Sequence, residues 1–377
     1  MKIVFVSNTF HHHQANVSEN LYEVTGGNYA FIETEPMNSE RINLGWGNFC
    51  LPEYVRQAWK GKKEKDECVA LINGAEYVIF GAASKEFIAE RLKAGKLVFV
   101  YSEHLFKQEA NRVVRFAKGV KYWLIAGRYK NAYLLCASGY AARDYNSLGL
   151  YRGKTYKYGY FPEYQHKSYQ QLLEIKKKNP MIHIVWVGRL IDWKHPEKAI
   201  LCAEMLRSNG IAFHMDMIGN GALQERIENS LHEKQLEDFI TLHGSMPTNK
   251  VHEYMERADI HLFTSDHGEG WGAVLNESMD SACAVVADNR IGSVLHLIKH
   301  EQNGLVYEND GKLFEYLKCL AESSQLRERL GKAAYSTIHD EWNAKMVANR
   351  FIPFAQEIEQ KGYCDLYAEG VLSKTQI

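Results

Sequence analysis

The chain has no paired cysteines, no long apolar run and no excess of charge of one sign, and each absence narrows its chemistry. The seven cysteines, at positions 50, 68, 136, 202, 283, 319 and 364, are scattered and none belongs to a C-x-x-C pair. Neither a disulfide framework nor a zinc site is therefore indicated, and reduced thiols in a cytoplasmic setting are expected. No apolar stretch approaches the roughly 20 residues of a membrane span. The N-terminal run Met1-Lys2-Ile3-Val4-Phe5-Val6-Ser7 reads as a first strand rather than a signal peptide. Lys plus Arg (45) nearly cancel Asp plus Glu (46), so net charge offers no argument for a nucleic-acid partner. Internal repeats and low-complexity segments are missing as well. What is present is ordinary globular composition over 377 residues, longer than one core usually serves, and two domains are expected.

The C-terminal half alternates regularly. Residues 181–187, 212–218, 239–243, 259–263, 283–287 and 305–307 read as strands, and 196–207, 222–233, 249–257, 273–281 and 294–299 as helices. Short apolar strands between amphipathic helices mean βαβ units and a parallel sheet covered on both faces. The N-terminal half is similar but less regular, with strand candidates at 3–6, 29–33, 77–80, 97–101 and 133–137. The polar, lysine-rich stretch 163–180 is read as the boundary, giving domains 1–170 and 171–342. A further helical pattern, 342–361, follows the second domain rather than building it.

In open α/β sheets ligands bind beyond the carboxyl ends of the strands. In the second half these exits carry Gly188-Arg189 through Lys194, Gly219-Asn220-Gly221, Gly244-Ser245-Met246-Pro247, and Thr264-Ser265 followed by Asp266-His267-Gly268-Glu269-Gly270-Trp271-Gly272. Glu277 follows in the next helix. Glycines let a backbone approach a ligand closely. Arg189 and Lys194, five apart across one turn, can reach one anion, through a planar fork and a point charge respectively. Each feature alone is bland: R-x4-K is commonly two solvated cations, and Glu277 a helix-surface acid. Their convergence on one sheet edge suits a ligand bearing both phosphates and hydroxyls. Gly219-Asn220-Gly221 lacks the third glycine of a dinucleotide fingerprint, since Gln224 stands there, and it reads as a tight turn.

Between residues 181 and 307 these segments resemble, in order and spacing, the GT-B glycosyltransferases, and within them the retaining family 4. Ala258-Asp259-Ile260 and Asn303-Gly304-Leu305-Val306 add to the likeness. The N-terminal half agrees more loosely, at Cys136-Ala137-Ser138 and Gly159-Tyr160-Phe161-Pro162. His11-His12-His13-Gln14, Thr34-Glu35-Pro36-Met37 and Tyr101-Ser102-Glu103 are similar to a subgroup associated with bacterial surface polysaccharides. The resemblance implies two Rossmann-like domains facing each other across a cleft, with residues 343–377 crossing back onto the first domain. It implies that Arg189 and Lys194 neutralise a donor diphosphate and that Glu277 binds ribose. It places Glu269 on the transferred sugar, Met246 against the base, and Gly188, Gly219, Gly270, Trp271 and Gly272 around the donor. The sequence departs from the family at Gly292-Ser293-Val294-Leu295-His296, where two glycines and a later glutamate are usual.

The implied reaction is retaining transfer of a hexose-type sugar from a nucleoside-diphosphate sugar, UDP first and GDP second, to a glycan or lipid-linked acceptor. No cofactor is expected. No D-x-D pair lies at a suitable strand end, so metal independence is expected too. The acceptor candidates are His12 and His13, in a loop after the first strand, and Glu103 and His104, after the strand at 97–101. His104 or Glu103 is the candidate for orienting acceptor or sugar. Residues 107–130 hold seven cations against Glu109, with Val113, Phe116, Val120 and Trp123 at helical spacing. Such a stretch either docks on anionic lipid, at the inner face of the membrane, or turns its apolar side to the core. Two other activities fit the same motifs: a nucleotide-sugar epimerase or isomerase, and a catalytically silent nucleotide-sugar binder.

Overall fold

The computed structural model describes residues 2–38, 50–164 and 167–376, and the chain divides into two compact units, residues 1–163 with 342–377 and residues 164–341. In the first unit β1 (Ile3–Ser7) leads to α1 (His12–Val24), β2 (Tyr29–Glu33), β3 (Val55–Gln57), α2 (Lys62–Gly74), β4 (Tyr77–Phe80) and α3 (Glu86–Lys93). Then follow β5 (Val98–Ser102), α4 (Arg112–Tyr122), β6 (Ala132–Cys136), α5 (Ala141–Ser147) and β7 (Thr155–Lys157). The strands form one parallel sheet in the order β3-β2-β1-β4-β5-β6-β7. β1, β2 and β4 are buried along their whole length, as near-continuous apolar runs must be when helices cover both faces. β3 and β7 were not expected from the sequence; Val55-Arg56-Gln57 and Thr155-Tyr156-Lys157 are three residues each, and neither is an apolar run.

The second unit contains α6 (Tyr169–Lys177), β8 (Ile182–Val187), α7 (Pro196–Ser208), β9 (Phe213–Ile218), α8 (Gln224–Glu233), β10 (Ile240–Leu242) and α9 (Thr248–Arg257). It continues with β11 (Ile260–Phe263), α10 (Val274–Asp280), β12 (Ala284–Asp288), α11 (Val294–Leu297), β13 (Leu305–Tyr307), α12 (Asp310–Glu322) and α13 (Ser324–Ser336). Its sheet is also parallel, in the order β10-β9-β8-β11-β12-β13. Alternate residues divide the two faces. Ile184, Trp186, Met215, Met217, Ile260 and Leu262 join one buried cluster, while Val185 and Ile218 join another with Val251 and Met255.

The stretch 163–180 is not the plain connection its polarity suggests. It holds α6, whose start is fixed by a reciprocal capping box between Ser168 and Gln171. Leu172 and Lys176 are buried on this helix, and the Lys176 ammonium donates to the carbonyls of Met255 and Ala258. One of the lysines that suggested a solvated linker is thus an internal tie, and the second unit begins at residue 164 rather than 171.

The last helix, α14 (Ala344–Lys361), belongs to the first unit, where it lies against α1 and the sheet. Phe351 and Phe354 meet Phe99 at ring-centroid distances of 5.3 and 5.4 Å, and Phe354 meets Tyr156 at 4.8 Å. Beyond it the chain runs antiparallel to β7: Leu372 N–H donates to the Lys157 carbonyl at 2.8 Å, and Thr375 N–H to the Thr155 carbonyl at 3.1 Å. These bonds cover a sheet edge whose N–H and C=O groups would otherwise be open to other strands.

In the second unit three neighbouring strand exits lock by direct backbone contact. Gly219 N–H donates to the Gly244 carbonyl at 2.8 Å, Gly188 N–H to the Ile218 carbonyl at 3.0 Å, and Leu190 N–H to the Asn220 carbonyl at 2.9 Å. Gly219 has φ +132°, and a β-carbon there would sit 1.9 Å from the Gly188 carbonyl oxygen. The clash is with backbone, which cannot rotate away. Gly210, with φ +68°, has open space around the same position. In urea denaturation, Gly219→Ala is expected to cost more than about 3 kcal/mol, and Gly210→Ala only the left-handed backbone penalty of about 1–2 kcal/mol. Equal losses would contradict the close-approach account.

Candidate functional site

β8 and β11 lie side by side where the strand order of the second sheet reverses, the place at which open α/β sheets hold ligands beyond the strand ends. Their exits are tied together. Trp186 Nε1–H, on β8, donates to Thr264 Oγ1 at 2.8 Å, and Thr264 Oγ1–H donates to the Lys194 carbonyl at 2.6 Å. Asp266 N–H donates to the Trp193 carbonyl at 2.9 Å. On this frame the Lys194 ammonium donates to Glu269 Oε2, which also accepts from Ser265 Oγ–H at 3.2 Å. The two charged side chains are only 13% and 15% exposed, so neither is left to water for neutralisation. Below them His261, fully buried on β11, is pushed down to about 3 by burial and by the charge of Lys194, and it stays neutral.

Arg189 stands differently. It is exposed, its guanidinium 5.4 Å from the Trp193 ring, and it makes no ion pair with a described residue. The site therefore holds one cation already matched by a carboxylate and one open to an anion.

The turn after β11 is shaped by two tight positions. A β-carbon on Gly268 would lie 2.9 Å from Trp193 Cβ, and one on Gly272, at φ +85°, would lie 2.6 Å from Phe263 Cζ. Trp271 is 1% exposed; its Nε1–H donates to Asn276 Oδ1 at 2.8 Å, and its carbonyl accepts from Ser293 N–H at 3.2 Å. The ring thus anchors the turn in the interior, and what this residue has left to offer a ligand is backbone. Ser293, in the segment that departs from the family pattern, serves here as a brace for the turn. Glu277, in α10, lies 4.0 Å from His252 Nε2 of α9. Burial works against a charge on His252, but Glu277, Asp280 and Glu256 around it outweigh that and raise its pKa. Met246 leans onto the buried cluster of Val185, Ile218 and Val251.

In the first unit His104 is buried, with Nδ1 2.8 Å from Ser138 Oγ, which also accepts from Tyr140 N–H at 3.2 Å. Glu103 accepts from the Tyr160 hydroxyl at 2.6 Å and from the Lys107 ammonium at 2.5 Å. Of the stretch 10–14, expected as a loop, residues 12–14 are instead the first turn of α1, with His11 at its N-cap. The His12 and His13 rings lie 3.9 Å apart, and His13 stacks on Tyr160 at 5.3 Å. Glu103, Tyr160 and His13 thereby form one continuous group.

The sequence reading overlooked His195. It sits at φ 48° between the Asp192–Lys194 turn and α7. Its Nε2 lies 3.0 Å from Asp266 Oδ2 and its Nδ1 2.9 Å from Glu197 Oε1, so it clasps both tied exits. A single histidine before proline carries no pattern by which this could be found. The Glu197 hydrogen bond raises the His195 pKa against the opposing effect of burial, and Asp266 adds to the rise. Burial disfavours a charge on Glu197, yet the bonds from His195 and from its own backbone prevail and lower its pKa. A raised histidine pKa stabilises fully below the unfolded value of about 6.5 and stops doing so as pH climbs through the folded value. A lowered glutamate pKa stabilises above its unfolded value of about 4.3 and stops as pH falls. The stability gap between wild type and His195→Asn, a residue that tolerates left-handed backbone, should be widest at about pH 5–6.5 and shrink toward about pH 9. A gap that grows with pH would rule out the charged clasp.

Comparison with known proteins adds to this geometry. Residues 169–337 match the family model of glycosyl transferases group 1. The putative colanic acid biosynthesis glycosyltransferase WcaL of Escherichia coli (strain K12) is 30% identical over 158 residues, 40% of this chain and 38% of that protein. The N-acetylgalactosamine-N,N'-diacetylbacillosaminyl-diphospho-undecaprenol 4-alpha-N-acetylgalactosaminyltransferase of Campylobacter jejuni is 29% identical over 147 residues, 38% of this chain and 39% of that protein. The chain thus spans about two fifths of the length of the curated relatives it matches. Among solved structures, Anabaena HepE in complex with UDP superposes with a TM-score of 0.69 at 12% identity, over 95% of this chain and all of that one. Residues 169–337 are thus similar to the glycosyl transferases group 1, and the chain has the two-domain GT-B fold.

Proposed function

We propose that the protein is a glycosyltransferase of bacterial surface-polysaccharide synthesis, moving a hexose-type sugar from a nucleoside-diphosphate sugar to a glycan or lipid-linked acceptor. The observation that carries this reading is the Lys194–Glu269 pair beside the open Arg189 at the switch point of a group 1 domain. Breaking the anomeric C–O bond loads negative charge onto the departing diphosphate. Arg189, Lys194 and the N–H groups of Gly270 to Gly272 supply fixed positive ends for that charge, which stabilise the transition state more than the ground state. Glu269 holds hydroxyls of the transferred sugar and Glu277 those of the ribose, while Gly188 and Gly219 keep the backbone low enough for the diphosphate to approach. Met246 lies against the base. The first unit takes the acceptor, with His12, His13, Glu103 and His104 as its candidate contacts and His104 orienting it. Retention of configuration follows from attack on the face the leaving group vacates, and no metal ion is required in this scheme. UDP is favoured as the nucleotide because HepE, of like fold, was solved with it.

The pairing of Lys194 with Glu269 makes the proposal testable in detail. Glu277→Ala removes charge-assisted hydrogen bonds worth about 1.5–3 kcal/mol each, so UDP affinity should fall at least tenfold. Glu269→Gln frees Lys194 from its carboxylate, so UDP affinity should hold or rise while sugar transfer is lost. A thermal-shift panel of UDP-, GDP- and ADP-sugars gives the affinities, since a hundredfold excess over Kd stabilises by about 2.7 kcal/mol. Unchanged UDP affinity in Glu277→Ala would contradict the assignment. Donor turnover without acceptor would point to an epimerase or isomerase, and binding without turnover to a silent binder.

The lipid-linked acceptor is supported by α4. None of its residues is buried, and Val113 and Phe116 are 75% and 73% exposed, with Trp123 following at 48%. Its apolar side therefore does not face the core; Arg112 and Lys121 are exposed on the same helix, whereas Arg115 and Lys118 turn inward over the Phe106 ring. Among the described residues no helix is long and apolar enough to cross a membrane. We expect salt-sensitive binding to anionic vesicles, weakened about tenfold or more in Val113→Ser/Phe116→Ser through the lost apolar burial. Equal binding to neutral vesicles, or none to either, would remove the membrane-face role.

A further inference from the structure

The carboxyl edge of the first sheet holds a second feature that the donor chemistry leaves unused. Beyond β2, β3 and β4 lies a cavity of about 400 Å³, lined by Thr34, Glu35, Trp59, Lys62, Ser84 and their neighbours. Its volume falls within the range of small-molecule sites. Trp59 is 40% exposed here, a large rigid ring presented to a pocket. It is also held in place: its Nε1–H donates to Glu33 Oε2 at 3.1 Å. Glu33 is itself buried and accepts from Gln57 Nε2–H at 2.9 Å and Phe10 N–H at 3.1 Å. Three N–H donors and no cation among the described residues satisfy this carboxylate. Its effect is to fix the plane of the indole.

We infer that this cavity is a pyranose-binding subsite for the acceptor glycan, with Trp59 as the surface on which a sugar ring stacks. The inference rests on the glycosyltransferase reading and names a place for its acceptor. A pyranose presents an apolar C–H face and a rim of hydroxyls. A pre-oriented indole covers that face with little loss of conformational freedom. The rim needs donors and acceptors together, and the lining mixes the hydroxyls of Thr34 and Ser84 with the Glu35 carboxylate and the Lys62 ammonium. Thr34 Oγ1 is buried without a hydrogen-bond partner among the described residues. Lys65, also at the rim, is held by Glu86 at 3.0 Å. The two carboxylates of the lining, Glu35 and Glu86, are balanced by the two ammonium groups of Lys62 and Lys65, so the cavity offers no excess charge of either sign and suits an uncharged, hydroxyl-rich ligand.

The test is a titration followed through the tryptophan indole N–H resonances, with that of Trp59 assigned by its loss in Trp59→Phe. The probes are methyl glycosides of glucose, galactose, N-acetylglucosamine and N-acetylgalactosamine, and separately UDP. At least one glycoside should move the Trp59 resonance in a saturable way. By calorimetry or ligand-observed NMR, that glycoside should bind about tenfold more weakly to Trp59→Ala and retain part of its affinity in Trp59→Phe, which keeps a stacking face. UDP affinity should be the same in all three proteins. If no glycoside shifts Trp59, if only UDP does, or if Trp59→Ala binds the glycoside as wild type does, the subsite is refuted. Failure of the donor reading would appear instead as an absence of UDP binding in wild type, which leaves the glycoside titration intact.

Discussion

The site depends on one ion pair between two neighbouring strand exits. Lys194 and Glu269 are both largely withdrawn from water, and charges so placed are tolerable only when matched. The match in turn requires the two loops to hold a single relative position. Backbone and side-chain bonds from Trp186, Thr264, Trp193 and Asp266 provide it, so the pair rests on a frame rather than creating one. Because Lys194 is already satisfied, the net positive charge open to an anion comes from Arg189. In the proposed donor complex a diphosphate would share Lys194 with Glu269, which would couple the phosphate end of the donor to its sugar end.

The glycines that make this region resemble a nucleotide-binding site first serve the protein itself. Gly219 is demanded by the Gly188 carbonyl, Gly268 by Trp193, and Gly272 by Phe263. Close approach between loops keeps the edge low and flat, and a low edge is also what a ligand's phosphates need. The tight-turn reading of Gly219-Asn220-Gly221 therefore has a specific cause: its neighbour is main chain, and no side chain fits between.

The fold was legible in sequence where burial is complete. Strands such as Tyr77–Phe80 and Ala132–Cys136, buried along their whole length, are apolar throughout, and such runs stand out. Elements of mixed character were hidden. β3 and β7 are short and each carries a cation in place of an apolar run. α6 carries its burial on two residues, one of them a lysine. The start of α1 was masked by histidines that read as a polar loop. Among the candidate site residues, Arg189, Lys194, Glu269 and Glu277 could be proposed from sequence because each follows a glycine-marked exit or lies in the helix behind it. His195 could not, since its role is defined by Asp266, which lies 71 positions away in sequence.

By itself, the order of residues determined that the chain forms two parallel α/β sheets and which loops end at the carboxyl edge of the second. Strand periodicity and glycine placement are local properties, and short windows record them. Only the tertiary structure decided that Lys194 meets Glu269, that Arg189 stays open, that Trp271 points inward, and that Trp59 is held flat by Glu33. Those outcomes depend on which distant segments the sheet order brings side by side and on how far each is withdrawn from water. No local window encodes either quantity.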